Sequence, residues 1–183
     1  MTEPGAADAL REAREADAEA IAAIYNESIL TGDATMDDQP KTAGDILGWM
    51  RAFSDRECLL VLEDTAARPG DPAPADATIR GWGIIKKYSE RAGYRFACET
   101  AVYLRRDQIG RGLGTRMKKA LIARCRQLGY RHLVAKIFAD NEASIGYNLK
   151  LGYEMVGVQR NIGFKNGRYV DVAILQLVLP AAD

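Results

Sequence analysis

The sequence is poor in cysteine and histidine, and this scarcity excludes several kinds of site. Its 183 residues include three cysteines and one histidine. Cys58, Cys98 and Cys125 are odd in number, widely spaced and set in apolar runs, which indicates buried reduced thiols rather than a disulfide framework. His132 alone excludes a mechanism that needs two histidines. We therefore expect no disulfide and no bound metal.

Long hydrophobic runs are also missing. The longest, such as residues 59–62 and 172–175, fall far short of the ~20 apolar residues that cross a bilayer. The first ten residues, MTEPGAADAL, lack the basic and apolar regions of a signal peptide. These features predict a cytoplasmic protein with no membrane partner.

The sequence lacks an excess of charge of either sign, because 25 basic residues balance 25 acidic ones. This balance argues against a nucleic-acid partner. The charges are nevertheless unevenly distributed, since residues 1–64 hold 5 basic and 15 acidic side chains, whereas residues 105–131 hold 9 and 1. The second segment either attracts an anion or forms a solvated basic helix face without a ligand.

The apolar periodicity predicts a mixed sheet with helices, in the order β, α, α, β, β, β, α, β, α, β, β. Asp17 and Thr42 are expected to cap the first two helices, and Gly129 and Gly152 to end the last two. The fold class is therefore α/β, with one domain over residues 10–179, tails at 1–9 and 180–183, and an exposed Pro-rich loop at 65–77. The predicted strands are 10–14, 57–63, 79–86, 96–104, 133–138, 153–158 and 169–179.

A glycine-rich turn joins a predicted strand to a predicted helix over residues 102–115. Gly110, Gly112 and Gly114 stand at every second position, so the backbone can approach a ligand closely, and the helix start offers unpaired N–H groups. A pyrophosphate suits such a turn. The dinucleotide fingerprint fails because position 115 is Thr, and the Walker pattern fails because no Gly-Lys-Ser/Thr follows. A tight turn without a ligand is the alternative.

Residues 109–114, I-G-R-G-L-G, resemble the Gln/Arg-x-x-Gly-x-Gly/Ala turn of the GCN5-related N-acetyltransferase (GNAT) superfamily, with Ile109 departing at the first position. Further matches in order and spacing narrow the resemblance to the phosphinothricin and methionine sulfoximine N-acetyltransferase-like branch and extend it from about residue 10 to 179. The resemblance implies the GNAT acyl-CoA N-acyltransferase fold, whose mostly antiparallel central sheet has helices on both faces. The matching positions are 24–26, 91–94, 99, 102–103, 141–144, 151–153, 163–165, 171 and 176.

The resemblance also implies the roles of individual residues. Glu99, within an apolar strand, matches the base that takes a proton from the ammonium of the acceptor; a carboxylate facing solvent is the alternative. Acetyl-CoA is the expected cosubstrate. Its expected ligands are Ala101, Val102, Tyr103, Ile109, Gly110, Arg111, Gly112, Leu113, Gly114, Thr115, Asn141 and Ser144, although helix capping would also explain Asn141 and Ser144.

Three residues are expected to contact the acceptor. Arg91 and Tyr94 match an Arg-x-x-Tyr pattern before the base, and a guanidinium suits a carboxylate; a solvated loop charge is the alternative for Arg91. Met36, in the loop 31–40, stands where the family commonly has an aromatic residue.

The proton donor to the leaving thiolate stays open in the sequence. Asn148 occupies the position where the family has Tyr or His, and an amide delivers no proton at neutral pH. Tyr147 lies about 100° further around the helix and is expected to face elsewhere.

The sequence therefore predicts an N-acetyltransferase that acts directly, in a ternary complex, on the α-amino group of a small amino acid or a toxic analogue such as phosphinothricin or methionine sulfoximine. The alternatives are a polyamine drawn by Asp33, Asp37 and Asp38, an antibiotic, a protein N-terminus, or a non-catalytic coenzyme A-binding regulatory module. The expected partners are the amine and coenzyme A. Because members of the family commonly form dimers, the resemblance also implies a homodimer.

Overall fold

The computed structural model describes residues 8–65 and 78–180, and the helices and strands follow the predicted order. The predicted loop 65–77 and both tails fall largely outside the described residues. The strands are β1 Asp8–Glu12, β2 Cys58–Asp64, β3 Ile79–Lys87, β4 Ala97–Leu104, β5 His132–Phe138, β6 Glu154–Lys165 and β7 Arg168–Val178. The helices are α1 Ala18–Thr31, α2 Ala43–Ala52, α3 Leu113–Gln127 and α4 Glu142–Lys150.

The strands form one seven-stranded sheet in the order β1-β2-β3-β4-β5-β7-β6. All neighbouring strands are antiparallel except β4 and β5, which are parallel. The mixed, mostly antiparallel sheet is therefore confirmed. The one parallel pair is formed because α3 returns the chain to the other end of the sheet before β5 begins.

Both faces of the sheet carry a hydrophobic core, because side chains alternate along each strand. On the first face, α1 and α2 pack over Leu59, Val61 and Trp82. On the second face, α3 packs over side chains that include Cys98 and Leu133. Neighbouring residues of β4 thus point to different faces, so Glu99 faces α1 and α2 whereas Thr100 faces α3.

Local contacts differ from the sequence prediction in three places. β1 begins at Asp8, so the strand starts two residues earlier than expected. Asp17 makes no capping bond to α1; it instead accepts a hydrogen bond from Arg14 N and pairs with Arg11 at 2.7 Å. β6 extends well beyond residue 158, to Lys165. The Thr42–Asp45 capping box at the start of α2 is confirmed.

The uneven charge of the sequence is partly compensated between β1 and α3. Arg116 of α3 lies 3.1 Å from Asp8, and Arg124 lies 3.1 Å from Glu12. The acidic N-terminal segment therefore neutralises part of the basic face of α3.

None of the helices in the described ranges is long and apolar enough to cross a bilayer. Within the same residues, no three His, Cys, Asp or Glu side chains are grouped so that they could hold a metal ion.

Candidate active site

β4 and β5 pair over only three residues and then separate. The paired positions are Ala97 to Glu99 on β4. Tyr88 N donates to Ala97 O and Arg105 N to Arg80 O, so the odd-numbered residues of β4 bond to β3. Because hydrogen bonding alternates along an antiparallel strand, the backbone groups of Thr100 and Val102 point away from β3 and into the gap. The gap therefore offers backbone donors and acceptors to a ligand.

Glu99 lies at the last paired position before this gap, on the face covered by α1 and α2. Its side chain is 17% exposed and lies between two lysines. Lys86 Nζ of β3 is 3.5 Å from Oε1, and Lys136 Nζ of β5 is 2.7 Å from Oε2. The carboxylate is thus held in place by the two strands that flank β4.

A cavity of about 590 Å³ opens on one side of Glu99, and we call it the aromatic cavity. Trp82 and Tyr103 stack there with ring centroids 4.6 Å apart, and Tyr25 meets both rings edge-on. Burial raises the pKa of Tyr25 to about 12, so its hydroxyl stays protonated and bonds to Thr35 Oγ1 at 2.7 Å. The stacked rings present flat apolar surfaces to a ligand.

A second cavity of about 390 Å³ lies between Glu99 and the loop after α1, and we call it the loop cavity. Met36 lines it and packs against Gly163, and its assignment to the acceptor stays a prediction. Lys165 Nζ donates to Thr35 O at 2.7 Å and to Asp37 O at 2.6 Å. The β6–β7 hairpin therefore fixes the loop that closes this cavity.

The glycine-rich turn lies at the N-terminus of α3. Gly110 and Gly112 have φ of +83° and +77°, which side chains other than glycine rarely adopt. A Cβ at either position would meet no atom within 4 Å, so the space above the turn is open. The hydrogen bond that opens α3 runs from Arg116 N to Gly112 O at 3.1 Å, and the preceding N–H groups belong to the unpaired first turn.

A cavity of about 300 Å³ extends from this turn to the gap between β4 and β5, and we call it the glycine-turn cavity. Three of the predicted coenzyme ligands do not line this cavity. Leu113 buries its side chain in the core, and Arg111 is exposed outside the cavity. Ala101 lines the cavities around Glu99. The predicted coenzyme ligands that do line the glycine-turn cavity are Val102, Tyr103, Ile109, Gly110, Gly112, Gly114, Thr115, Asn141 and Ser144.

The gap itself contains a small cavity of about 70 Å³, the strand cleft, which connects the two faces. Tyr147 lines both this cleft and the glycine-turn cavity. The expectation that Tyr147 faces elsewhere is therefore wrong, because α4 lies over the gap closely enough for two adjacent residues to reach it. Asn148 also lines the cleft, and its buried Oδ1 has no partner among the described residues.

Lys118 of α3 lines the strand cleft and was missed by the sequence reasoning. It is 1% exposed, and its Nζ donates to Thr100 Oγ1 at 2.7 Å and to Thr100 O at 3.3 Å. Burial lowers the pKa of Lys118 to about 7. The signal was present in the sequence, since Lys118 falls three residues before Leu121 and seven before Cys125 on the apolar stripe.

Two predicted acceptor ligands lie away from Glu99. Tyr94 lines a separate outer cavity of about 450 Å³ with Tyr88, Phe96 and His132. Arg91 is exposed and lines none of the five cavities described. Their assignment to the acceptor stays a prediction.

Comparison with known proteins gives consistent matches. Residues 76–174 match the family described as Acetyltransferase (GNAT) domain. The chain is 35% identical to phosphinothricin N-acetyltransferase of Alcaligenes faecalis, over 95% of this chain and 84% of that protein. It is 33% identical to L-methionine sulfoximine/L-methionine sulfone acetyltransferase of Pseudomonas aeruginosa, over 93% and 94%. A crystal structure of a GNAT superfamily phosphinothricin acetyltransferase from Sinorhizobium meliloti in complex with acetyl-CoA superposes with a TM-score of 0.84, at 29% identity over 94% of this chain and 88% of that one.

Proposed function

The chain belongs to the GNAT acetyltransferase family, and we propose that it transfers the acetyl group of acetyl-CoA to the α-amino group of a small amino acid or a toxic analogue such as phosphinothricin or methionine sulfoximine. One observation carries the proposal. Glu99 lies at the point where β4 and β5 separate, with the glycine-turn cavity on one side of the gap and the aromatic and loop cavities on the other.

The residues of the glycine-turn cavity fit coenzyme A. The open space over Gly110 and Gly112 and the unpaired first turn of α3 would hold the pyrophosphate. The backbone of Val102, turned into the gap, would bond to the pantetheine arm. When bound, acetyl-CoA supplies the activated thioester carbonyl.

Glu99 is proposed to accept a proton from the acceptor ammonium, because only the neutral amine has a lone pair for attack. The two lysines fix both carboxylate oxygens, so the base is oriented before the acceptor arrives. The N–H of Val102 is the proposed donor to the oxygen on which negative charge develops. Most of the rate gain would come from holding amine and carbonyl in contact.

Direct transfer is favoured over an acetyl-cysteine intermediate. Cys98 adjoins Glu99 in the chain but faces the opposite side of the sheet, where it is 0% exposed and 3.6 Å from Cys125. The hydrogen bond with Cys125, together with burial, raises the pKa of the Cys98 thiol well above its usual range, so it supplies no thiolate nucleophile.

The charges around Glu99 favour an amino acid over a polyamine. The aromatic and loop cavities together are lined by four acidic and four lysine side chains. Asp37 and Lys41 also pair with each other at 3.2 Å. A balanced lining suits a zwitterion, whereas a polycation would need an acidic excess. The charged residues of the lining are Asp37, Glu57, Glu90, Glu99, Lys41, Lys86, Lys87 and Lys136.

The lysines beside Glu99 are proposed to hold the carboxylate of the acceptor. Lys86 and Lys136 are about half exposed and reach the cavities that contain Glu99. A zwitterion could place its ammonium on Glu99 and its carboxylate on either lysine. Arg91, predicted for this role from its motif, is the rival ligand.

A homodimer in the cytoplasm completes the proposal. The β6–β7 hairpin exposes large apolar side chains, including Val156 (58%), Phe164 (65%) and Tyr169 (67%), which a second copy would cover. The three cysteines are free, as expected in a reducing compartment. Sedimentation of the wild type and of Phe164→Lys tests the pairing, which fails if both sediment as monomers.

The test of the activity is thiol release from acetyl-CoA with a panel of amines. The panel contains methionine sulfoximine, phosphinothricin, standard amino acids, spermidine and an amine-bearing antibiotic. We expect turnover with at least one amino acid or analogue and none with spermidine. Activity on spermidine alone would replace the amino acid by a polyamine, and coenzyme A binding without turnover on any amine would support the regulatory module.

A further inference from the structure

Lys118 is a buried cation site that the proposed reaction has not yet used. Within the described part of the chain its ammonium forms no ion pair; its partners are the hydroxyl and carbonyl of Thr100 and the ring of Tyr153, whose centroid is 4.8 Å away. A buried ammonium without a carboxylate is costly. Buried groups with strongly perturbed titration cluster at functional sites.

The position of Lys118 relates it to the reacting end of the cleft. Thr100 directly follows Glu99, and its carbonyl points into the gap where β4 leaves β5. Tyr147 instead lies over Gly114, where a Cβ would be 3.7 Å from its ring. Gly114 is one helical turn nearer the glycine-rich turn than Lys118. Three side chains that can donate a proton line the strand cleft: Lys118, Lys136 and Tyr147. Lys136 is already paired with Glu99 at 2.7 Å on the opposite face of the sheet. Lys118 is therefore the buried donor that reaches the cleft through Thr100, next to the base in the chain.

We propose that Lys118 is the proton donor to the sulfur of coenzyme A. This proposal rests on the proposed function. As the amine nitrogen bonds to the carbonyl carbon, the carbon–sulfur bond breaks and its electron pair goes to sulfur. Lys118 gives an Nζ proton to that sulfur, which leaves a thiol and a neutral lysine amine. Glu99 holds the first proton, taken from the acceptor ammonium before attack. The second N–H proton, which the nitrogen loses once the C–N bond has formed, passes to solvent water. Solvent then removes the proton from Glu99 and returns one to Lys118.

The surroundings of Lys118 suit this transfer. A donor that titrates near neutrality is a stronger acid than a thiol, whose usual pKa is about 8.5, so the proton moves downhill. Burial raises the pKa of Tyr147 and Tyr153, and the hydrogen bond with Cys125 together with burial raises that of Cys98. The titratable groups around Lys118 are Cys98 and Glu99 of β4, Cys125 of α3, Lys136 of β5, Tyr147 of α4 and Tyr153 beyond it.

The kinetic test compares Lys118→Gln with the wild type. Gln can still donate to the Thr100 carbonyl but delivers no proton, so we expect kcat to fall about 10²-fold. In the wild type kcat should decline as the pH rises through about 7, because Lys118 is then deprotonated. We expect this decline to be absent from Lys118→Gln and kept in Lys119→Gln and Tyr147→Phe. Full activity in Lys118→Gln, or an unchanged decline, overturns the proposal in favour of a purely structural contact.

The second readout does not depend on turnover. In the enzyme labelled with ¹³C-lysine, the signal that is missing from Lys118→Gln reports Lys118. We expect it to titrate near pH 7 and to shift more with coenzyme A than with desulfo-coenzyme A, which lacks the sulfur. Equal shifts would overturn the proposal. If no amine supports thiol release, the proposed function fails, while this comparison still decides whether Lys118 meets the sulfur.

Discussion

Lys136 Nζ lies 2.7 Å from Glu99 Oε2, across the last paired position of β4 and β5. The contact links Glu99, the proposed base, to β5, which separates from β4 directly after this position. The pairing of β4 with β5 thus determines where Glu99 lies, which lysine contacts it and where the strand cleft begins. Changes at each of these parts should have different kinetic signatures.

Glu99→Gln should lower kcat by about 10²-fold or more, because the amide keeps the size of the side chain but accepts no proton. The KM for acetyl-CoA should change little, since Glu99 does not line the glycine-turn cavity. Steady-state thiol release checks both values. Glu90→Gln is the matched control, because Glu90 lines the same aromatic cavity but is exposed and paired with Lys87. A Glu99→Gln enzyme as fast as the control would remove Glu99 from its role.

Lys136→Met should raise the KM for an amino acid acceptor about 5-fold, the effect of a half-exposed charge pair worth about 1 kcal/mol. The KM for the corresponding amine without a carboxylate should not rise. Any effect through Glu99 would instead change kcat for both acceptors. Arg91→Met, measured in parallel, distinguishes the two candidate ligands, and a carboxylate-dependent rise in Arg91→Met alone would return the role to the predicted arginine.

Gly112→Ala should destabilise the protein by about 1 kcal/mol, because φ is +77° and alanine is strained there. No atom lies within 4 Å of the added Cβ, so the cost is conformational rather than steric. Coenzyme A affinity should fall, since the turn would relax away from the phosphate. Thermal unfolding and calorimetric titration give the two quantities.

Gly48→Ala is the control of opposite sign. Gly48 lies in α2 with a helical φ and open space around its Cβ position. Alanine should therefore stabilise by about 0.5–1 kcal/mol and leave coenzyme A binding unchanged. Equal stability of the two variants would show that the left-handed turn carries no strain.

The sequence predicted what depends on local periodicity. The alternation of strands and helices, the glycine-rich turn and Glu99 on its strand could all be derived or recognised within about 15 residues of chain. The lysines around Glu99 could not, because their approach depends on the pairing of Lys86 and Val134 with Glu99 across three strands. Tyr147 was misplaced for a similar reason, since its direction depends on how closely α4 lies over the gap.

The buried ammonium of Lys118 should make the stability of the protein depend on pH in a defined direction. Its pKa is about 7 in the folded chain and about 10.4 in the unfolded chain. Between these values the unfolded state binds more protons, so the free energy of unfolding rises with pH. From pH 7 to 9 the increase should be about 2 kcal/mol in the wild type, at 1.36 kcal/mol per fully displaced pH unit.

Lys118→Met removes the titrating group and should lose this part of the slope, whereas Lys119→Met, an exposed neighbour on the same helix, should keep it. Urea unfolding of the three proteins at pH 7, 8 and 9 measures the difference. The proton on buried Lys118 is the one proposed to reach the sulfur, and kcat/KM, like unfolding, reports the free enzyme. The onset of the stability slope and the decline of kcat/KM should therefore share one midpoint. Parallel slopes in the wild type and Lys118→Met would mean that Lys118 is not a buried titrating amine, and separate midpoints would mean that the two effects belong to different groups.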